Sequence, residues 1–336
     1  VQEHSRTGDR SRLGDSQLSA PGIALSQRGA SLAQQIKTQS HRTLWAISDL
    51  HVTAPANRRL ATRLIRPRHP GDWLIVAGDI AEDIDVVVEM LALFKTRFAE
   101  VIFSPGNHEI YSRSDAEFTG KAKYKELIRQ CRAIGVITPE DEYPVFAGHT
   151  IVPMFTLYDY SWRTPGTTPE RAIAEAERRG IVLTDHYAIA PFVDIPMWCR
   201  ERLAYTVKRL STVTGPTILI NHWPLAREPM RHVHFPDIGL WSGTRHTQQW
   251  AERYQASAVI YGHLHLPLEL DIDGVCHAEV SLGYPKENER NLPSRRRRGT
   301  WPYPVLITTT DNEQAGVERC IREANISGGR ETCGAN

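Results

Sequence analysis

Short apolar runs, each closed by a polar cluster, set the pattern of this chain. Leu44-Trp45-Ala46-Ile47, Trp73-Leu74-Ile75-Val76, Val101-Ile102-Phe103, Thr217-Ile218-Leu219-Ile220 and Ala258-Val259-Ile260 are long enough for buried strands and too short for typical helices. They lead into Asp49-Leu50-His51, Gly78-Asp79, Gly106-Asn107-His108-Glu109, Asn221-His222 and Gly262-His263-Leu264-His265. Between them, Val86, Val87, Met90, Leu91 and Phe94 have helical spacing and predict a helix over 85–97 packed on a sheet. Further helices are expected over 115–134, over 169–179, where Thr168-Pro169-Glu170 supplies a start signal, and over 196–210. Alternation in 268–272 and 275–280 around Asp273-Gly274 predicts a hairpin. The expected class is α/β, in which functional loops gather beyond the carboxyl ends of strands. Five separated clusters can meet there.

The clusters contain carboxylate, amide and imidazole donors and no cysteine. That mixture suits manganese, iron, zinc and their neighbours, whereas an all-oxygen set would suit magnesium or calcium. One carboxylate can bridge two cations roughly 3.5–4 Å apart, and Asp79 is the natural bridge. Two cations sharing a water lower its pKa and neutralise phosphoryl charge, so the nucleophile need not be a side chain. In Asp49-x-His51 and His263-x-His265, residues two apart would share a side in extended backbone, though a loop can re-aim either one. The glycines at 78, 106 and 262 allow tight turns or close backbone approach.

The ordered blocks D-x-H, G-D, G-N-H-E, a later His and G-H-x-H, spanning 49–265, resemble the calcineurin-like metallophosphoesterase superfamily. The resemblance implies a four-layer α-β-β-α sandwich holding two divalent metal ions, Mn and/or Fe, with Zn possible. It puts Asp49, His51, Asp79 and His265 on one metal and Asp79, Asn107, His222 and His263 on the other. His108 would then sit over the phosphate, stabilising charge or protonating the leaving oxygen. Gly78-Asp79-Ile80-Ala81-Glu82-Asp83 departs from the G-D-x-x-D-R-G of protein serine/threonine phosphatases, which disfavours that branch. Glu82 takes the position of the acid that orients the catalytic His there; whether it does so here is a question for the structure.

A closer resemblance covers about residues 42–286. The stretches 44–51 (LWAISDLH), 72–79 (DWLIVAGD), 150–155 (TIVPMF), 157–161 (LYDYS) and 261–266 (YGHLHL), with Arg227-Glu228-Pro229, Leu240-Trp241 and 280–285 (VSLGYP), are similar to the bacterial phosphopantetheinyl hydrolases. Those enzymes remove 4′-phosphopantetheine from the serine of holo carrier proteins, so the resemblance implies a holo carrier protein as substrate. The enzymatic alternative is a nucleotide or other small-molecule phosphodiesterase or phosphatase. A non-catalytic scaffold is disfavoured because the ligands and His108 are all retained.

Composition refines this picture. Lys+Arg 40 against Asp+Glu 39 gives no global charge to suggest nucleic acid or an anionic membrane, and no apolar run approaches the roughly 20 residues of a membrane span. Residues 1–41 are polar and are expected to be a disordered extension, 42–312 the enzyme domain and 313–336 a polar tail. Five scattered cysteines, Cys131, Cys199, Cys276, Cys320 and Cys333, fit reduced thiols in a cytoplasmic protein. Oligomeric state is not legible. Tyr158, Asp159 and Tyr284 are expected to line the substrate site, with core or turn packing as the alternative. Arg295 and Arg296 belong to a four-arginine run read as a solvated loop or as a dock for an acidic carrier protein. His232 and His234 are read as surface or cleft-wall histidines and not as ligands of a third metal, Trp198 and Cys199 as core.

Overall fold

Described over residues 42–308 in a computed structural model, the apolar runs become strands. In chain order these are β1 (Arg42–Ile47), β2 (Trp73–Val76), β3 (Glu100–Phe103), β4 (Val145–Phe146), β5 (His149–Pro153), β6 (Thr217–Ile220), β7 (Ala256–Tyr261), β8 (Glu269–Ile272), β9 (Val275–Glu279) and β10 (Tyr303–Thr308). The helices are α1 (Pro55–Leu64), α2 (Ile84–Lys95), α3 (Gly120–Ala133), α4 (Pro169–Arg178), α5 (Asp185–Ala188), α6 (Ile195–Leu210), α7 (Trp250–Arg253) and α8 (Pro285–Arg298). One sheet has the order β10-β1-β2-β3 and the other β4-β5-β6-β7-β9-β8. β1, β2 and β3 run parallel, as do β5, β6, β7 and β9, while β10, β4 and β8 are antiparallel to their neighbours. Parallel neighbours require long crossovers, which is why helices separate most of these strands in sequence.

Both faces of each sheet are covered, so the strands read as unbroken apolar runs. Leu44, Ala46, Ile75 and Ile102 of the first sheet meet Ile151, Ile218, Ile220 and Ile260 of the second. Trp45, Ile47, Leu74 and Val76 face the other way, onto Val87, Met90, Leu91 and Phe94 of α2 and Leu127 of α3. Behind the second sheet, Val152, Leu219 and Val259 pack with Trp198, Cys199 and Leu203 of α6. The result is the α-β-β-α sandwich.

The expected helices over 85–97, 169–179 and 196–210 appear within two residues of their predicted ends, and the hairpin forms as β8 and β9. The helix expected over 115–134 starts only at Gly120, after the extended Thr119. α8 is a difference: the arginine run read as a loop closes a helix. Pro285 occupies its first turn, Glu287 accepts from the Tyr284 N–H in a capping box, and Gly299 ends it at φ 72°. Four arginines in the last turn suit the partial negative charge of a helix carboxyl end. The expected extension 1–41, the tail 313–336, the domain end at 312, and Cys320 and Cys333 lie outside the described residues. Among the described residues no disulfide forms, and no helix is long and apolar enough to cross a membrane.

His277, in β9 opposite Val259 and Leu270, is buried with both ring nitrogens unpartnered. Burial lowers its pKa to about 4 against the weaker upward pull of Asp271 and Asp273. A histidine depressed in the folded state keeps its full stability above the unfolded value near 6.5 and loses it as pH falls towards the folded value. His277→Leu is therefore expected to be more stable than the parent. In urea unfolding, the gap should widen by about 2 kcal/mol between pH 7.5 and pH 5. A gap independent of pH would contradict this account.

Candidate metal centre

The loops after β1, β2, β3, β6 and β7 meet at one end of the sandwich. Asp49, His51, Asp79, His263 and His265 all adopt positive φ (52, 43, 57, 72 and 53°). The two x-separated pairs therefore converge through left-handed turns, and not through the extended backbone considered from sequence. Such conformations cost of order 1–3 kcal/mol each and persist only where the surroundings over-determine them. Here the loops brace one another: Asp49 N–H donates to the Gly78 carbonyl (2.9 Å), His51 N–H to that of Asp79 (3.1 Å), and Gly262 N–H to that of His222 (2.9 Å). Two glycines make room. A Cβ on Gly106 would lie 2.2 Å from Asp79 Oδ1, and one on Gly262 would lie 2.1 Å from Asp49 Oδ2.

Ligand-type atoms cluster in overlapping groups, Asp49–His51–His265, His51–Asp79–His108 and Asp79–His222–His263, each within 4.8 Å. Asp79 Oδ2 is 3.3 Å from His222 Nε2 and 3.8 Å from His108 Nε2, and Asp79 is the residue shared by the group with His51 and the group with His222 and His263. Asn107 Oδ1 is 3.0 Å from His222 Nε2 and 3.1 Å from His263 Nδ1, and those nitrogens are 3.3 Å apart. On the other side, His265 Nε2 is 3.1 Å from both Asp49 Oδ1 and His51 Nε2.

Outer partners fix the direction of each donor. His222 Nδ1 donates to the Ala77 carbonyl (2.8 Å), which aims Nε2 inward. His265 Nδ1 donates to Glu287 Oε2 (2.8 Å), the arrangement that sharpens a metal-binding imidazole. Asn107 Nδ2 donates to Asp185 Oδ1 and Tyr111 Oη, both at 2.9 Å, so its amide oxygen must face the histidines. Tyr111 Oη in turn donates to Asp185 (2.6 Å). Glu109 accepts from the N–H groups of Asp79, Ile80 and Gly106, stapling the second block to the third.

Burial alone would raise both inner carboxylates, yet the histidines around them bring Asp49 down to about 2 and Asp79 well below its ordinary range. Burial lowers His51 to about 4 and His263 to about 3. It opposes charge on His222 too, but Asp79 overrides it and lifts that imidazole to about 10. His265 is likewise raised against burial by Asp49 and Glu287. The carboxylates thus draw positive charge onto neighbouring rings, charge a divalent cation would supply while displacing those protons. Converging oxygen and imidazole donors, with tautomers set from behind, fit a pair of divalent cations.

His108 N–H donates to Asp79 Oδ1 (3.0 Å), and its Nδ1 lies 3.4 Å from Glu82 Oε1, so the acid at position 82 does face this ring. Burial opposes charge on His108, but Asp79 and Glu82 prevail and its pKa is raised. Tyr284, 44% exposed, stacks on His51 with ring centroids 4.4 Å apart and forms a rim of the site.

Two expected substrate contacts need correction. Tyr158 is fully buried beside Tyr160 and Trp223, in the core and not on a cleft wall. Arg295 is 5% exposed and donates to the Ser281 carbonyl, so it props α8 from within, whereas Arg296 is exposed. Asp159 accepts from Ser161 N–H and lies 3.6 Å from His246, in a turn. His232 and His234 are exposed and join no metal-competent group among the described residues. Sequence reading missed Glu287, Asp185 and Tyr111. Glu287 had a signal, as the acid at the third position of a helix opening with proline; Asp185, 78 residues from its amide partner, had none.

Residues 42–267 match the family model described as calcineurin-like phosphoesterase. [Acyl-carrier-protein] phosphodiesterase PptH of Mycobacterium tuberculosis is 43% identical over 285 residues, 82% of this chain and 88% of that protein. A crystal structure of phosphopantetheinyl hydrolase (PptH) from Mycobacterium tuberculosis superposes with TM-score 0.73 at 40% identity, covering 83% of this chain and 100% of that one. A matched model across both sheets, and a relative this similar over most of its length, make the chain a member of the calcineurin-like phosphoesterase family, a metal-dependent phosphoester hydrolase.

Proposed function

We propose that this chain removes 4′-phosphopantetheine from the serine of holo carrier proteins by phosphodiester hydrolysis. The observation that carries this reading is the 43% identity to a phosphodiesterase named for acyl carrier protein, sustained over 88% of that relative. Asp49, His51, Asp79 and His265 would hold one cation, and Asp79, Asn107, His222 and His263 the other. Manganese and/or iron fit these donors best, with zinc as the alternative. Bound there, the pair would supply charge neutralisation at phosphorus and an acidified water.

The chain's own groups do the rest. His108 Nε2 faces the same space as Asp79, while Glu82 faces Nδ1 and fixes the ring. A serine alkoxide is a poor leaving group, and a proton held at His108 Nε2 would be delivered to it. Tyr284 stiffens His51 by stacking and offers its exposed edge to the arriving ester.

Incubation with holo carrier protein and manganese should convert it to the apo form, read by intact mass as loss of one phosphopantetheine. Retention of the group, with turnover of a nucleotide diester, would replace this reading by a small-molecule phosphodiesterase. His108→Ala should keep two cations per chain by elemental analysis and lose about 10²–10⁴-fold in rate, most with poor leaving groups. Asp79→Asn should fall below two cations per chain. A His108→Ala protein that lost its metal would move that residue from proton donor to ligand.

A further inference from the structure

Residues 55–71 contain Arg58, Arg59, Arg63, Arg66 and Arg68 and no acid, in a chain whose charges nearly balance as a whole. Most of this stretch is α1, which begins four residues after His51. α8 begins beside Tyr284, the residue stacked on His51, and adds Lys286, Arg290 and the arginine run against Glu287 and Glu289. Asparagines lock the two helices together at the metal rim. Asn57 Nδ2 donates to the carbonyls of Leu50 and Gly283, both at 2.9 Å, and Asn288 Nδ2 donates to Asn57 Oδ1 at 2.6 Å. Between the helices lies a groove of about 820 Å³, with Pro55, Leu60 and Pro285 giving it apolar surface and Arg59 and Arg63 lining its α1 side.

Several charges here are already committed. Arg58 pairs with Glu89, Arg295 is buried on the Ser281 carbonyl, and Glu287 is held by His265 and the Tyr284 N–H. Arg59, Arg63, Arg66, Lys286, Arg290, Arg296 and Arg297 are exposed, and Glu289 is the one exposed acid on either helix. Arg59 and Arg63 are one turn apart on α1; on α8 the lining ends at Glu289, and Arg296 lies two turns beyond it on the same side of the helix.

We infer that the α1–α8 groove is the docking surface for an acidic amphipathic helix of the carrier protein, seated so that the serine-linked arm enters over Tyr284. This rests on the function proposed above. Complementarity selects the occupant: an apolar groove flanked by cations that have no acidic partner among the described residues takes a helix that is apolar on one face and acidic at its borders. Its distance from the metal loops is set by the Asn57–Asn288 lock, so the surface and the reaction centre keep one fixed geometry.

The test is the full-length, metal-loaded triple variant Arg59→Ser/Arg63→Ser/Arg296→Ser, with Arg129→Ser/Arg171→Ser, on α3 and α4, as the control. At low salt, the triple variant should lose about tenfold in kcat/KM on holo carrier protein, mostly through KM, and keep its rate on a small chromogenic diester. Binding of apo carrier protein, read by fluorescence anisotropy, should weaken in parallel, and high salt should shrink the difference. The control should match the parent. Equal losses on both substrates, or unchanged carrier binding, overturn the docking role while leaving the proposed reaction standing. A parent enzyme that neither binds apo carrier nor strips the holo form overturns both.

Discussion

Two carboxylates sunk side by side at the ends of adjacent parallel strands govern this molecule. The register that sets Ile47 against Val76 brings the loops of Asp49 and Asp79 together, and both side chains are almost wholly removed from water. Charge in that position is expensive unless it is matched and hydrogen-bonded. The surroundings are organised to match it. Ser48 and the His263 N–H donate to Asp49, the His108 N–H donates to Asp79, and imidazoles from three other loops close around the pair. The left-handed backbone at these converging residues and the crowded glycines follow, because such turns bring short side chains from separate loops onto so small a volume.

The parts legible in sequence were those with a local signature. Buried strands announce themselves as apolar runs, α2 by its spacing, and the β8–β9 hairpin by Asp273-Gly274. The residues that converge at the candidate metal centre were legible because five blocks occur in a fixed order, each following a strand. What was lost had no such mark. α8 buries little beyond Asn288, Leu292 and Arg295, so its pattern is that of a charged loop, and only its capping residues give it away. Tyr158 and Arg295 were misplaced because a polar tip on a large side chain does not tell whether the stem lies in core or cleft. The local conformation of Asp49 and His51 was open to sequence reading, since spacing two apart is equally served by a strand or by two successive left-handed turns.

Charge is distributed with the same economy. A chain close to neutrality as a whole leaves one pair of helices strongly basic and roots that pair at the reaction centre. Glu287 belongs to both halves of this design. It caps α8 and orients His265, so the helix that carries surface cations also holds a candidate ligand in line.

Asp185 has a similar double membership, with a different outcome. It comes from the long excursion between β5 and β6 and is the anchor that turns the Asn107 amide. Exchanging that excursion for a relative's, to retune which ester is accepted, would carry away the anchor as well. A graft keeps the Asn107 amide turned only if it brings its own acid to the same spot, so in this scaffold the excursion and the orientation of that side chain are inherited as one unit.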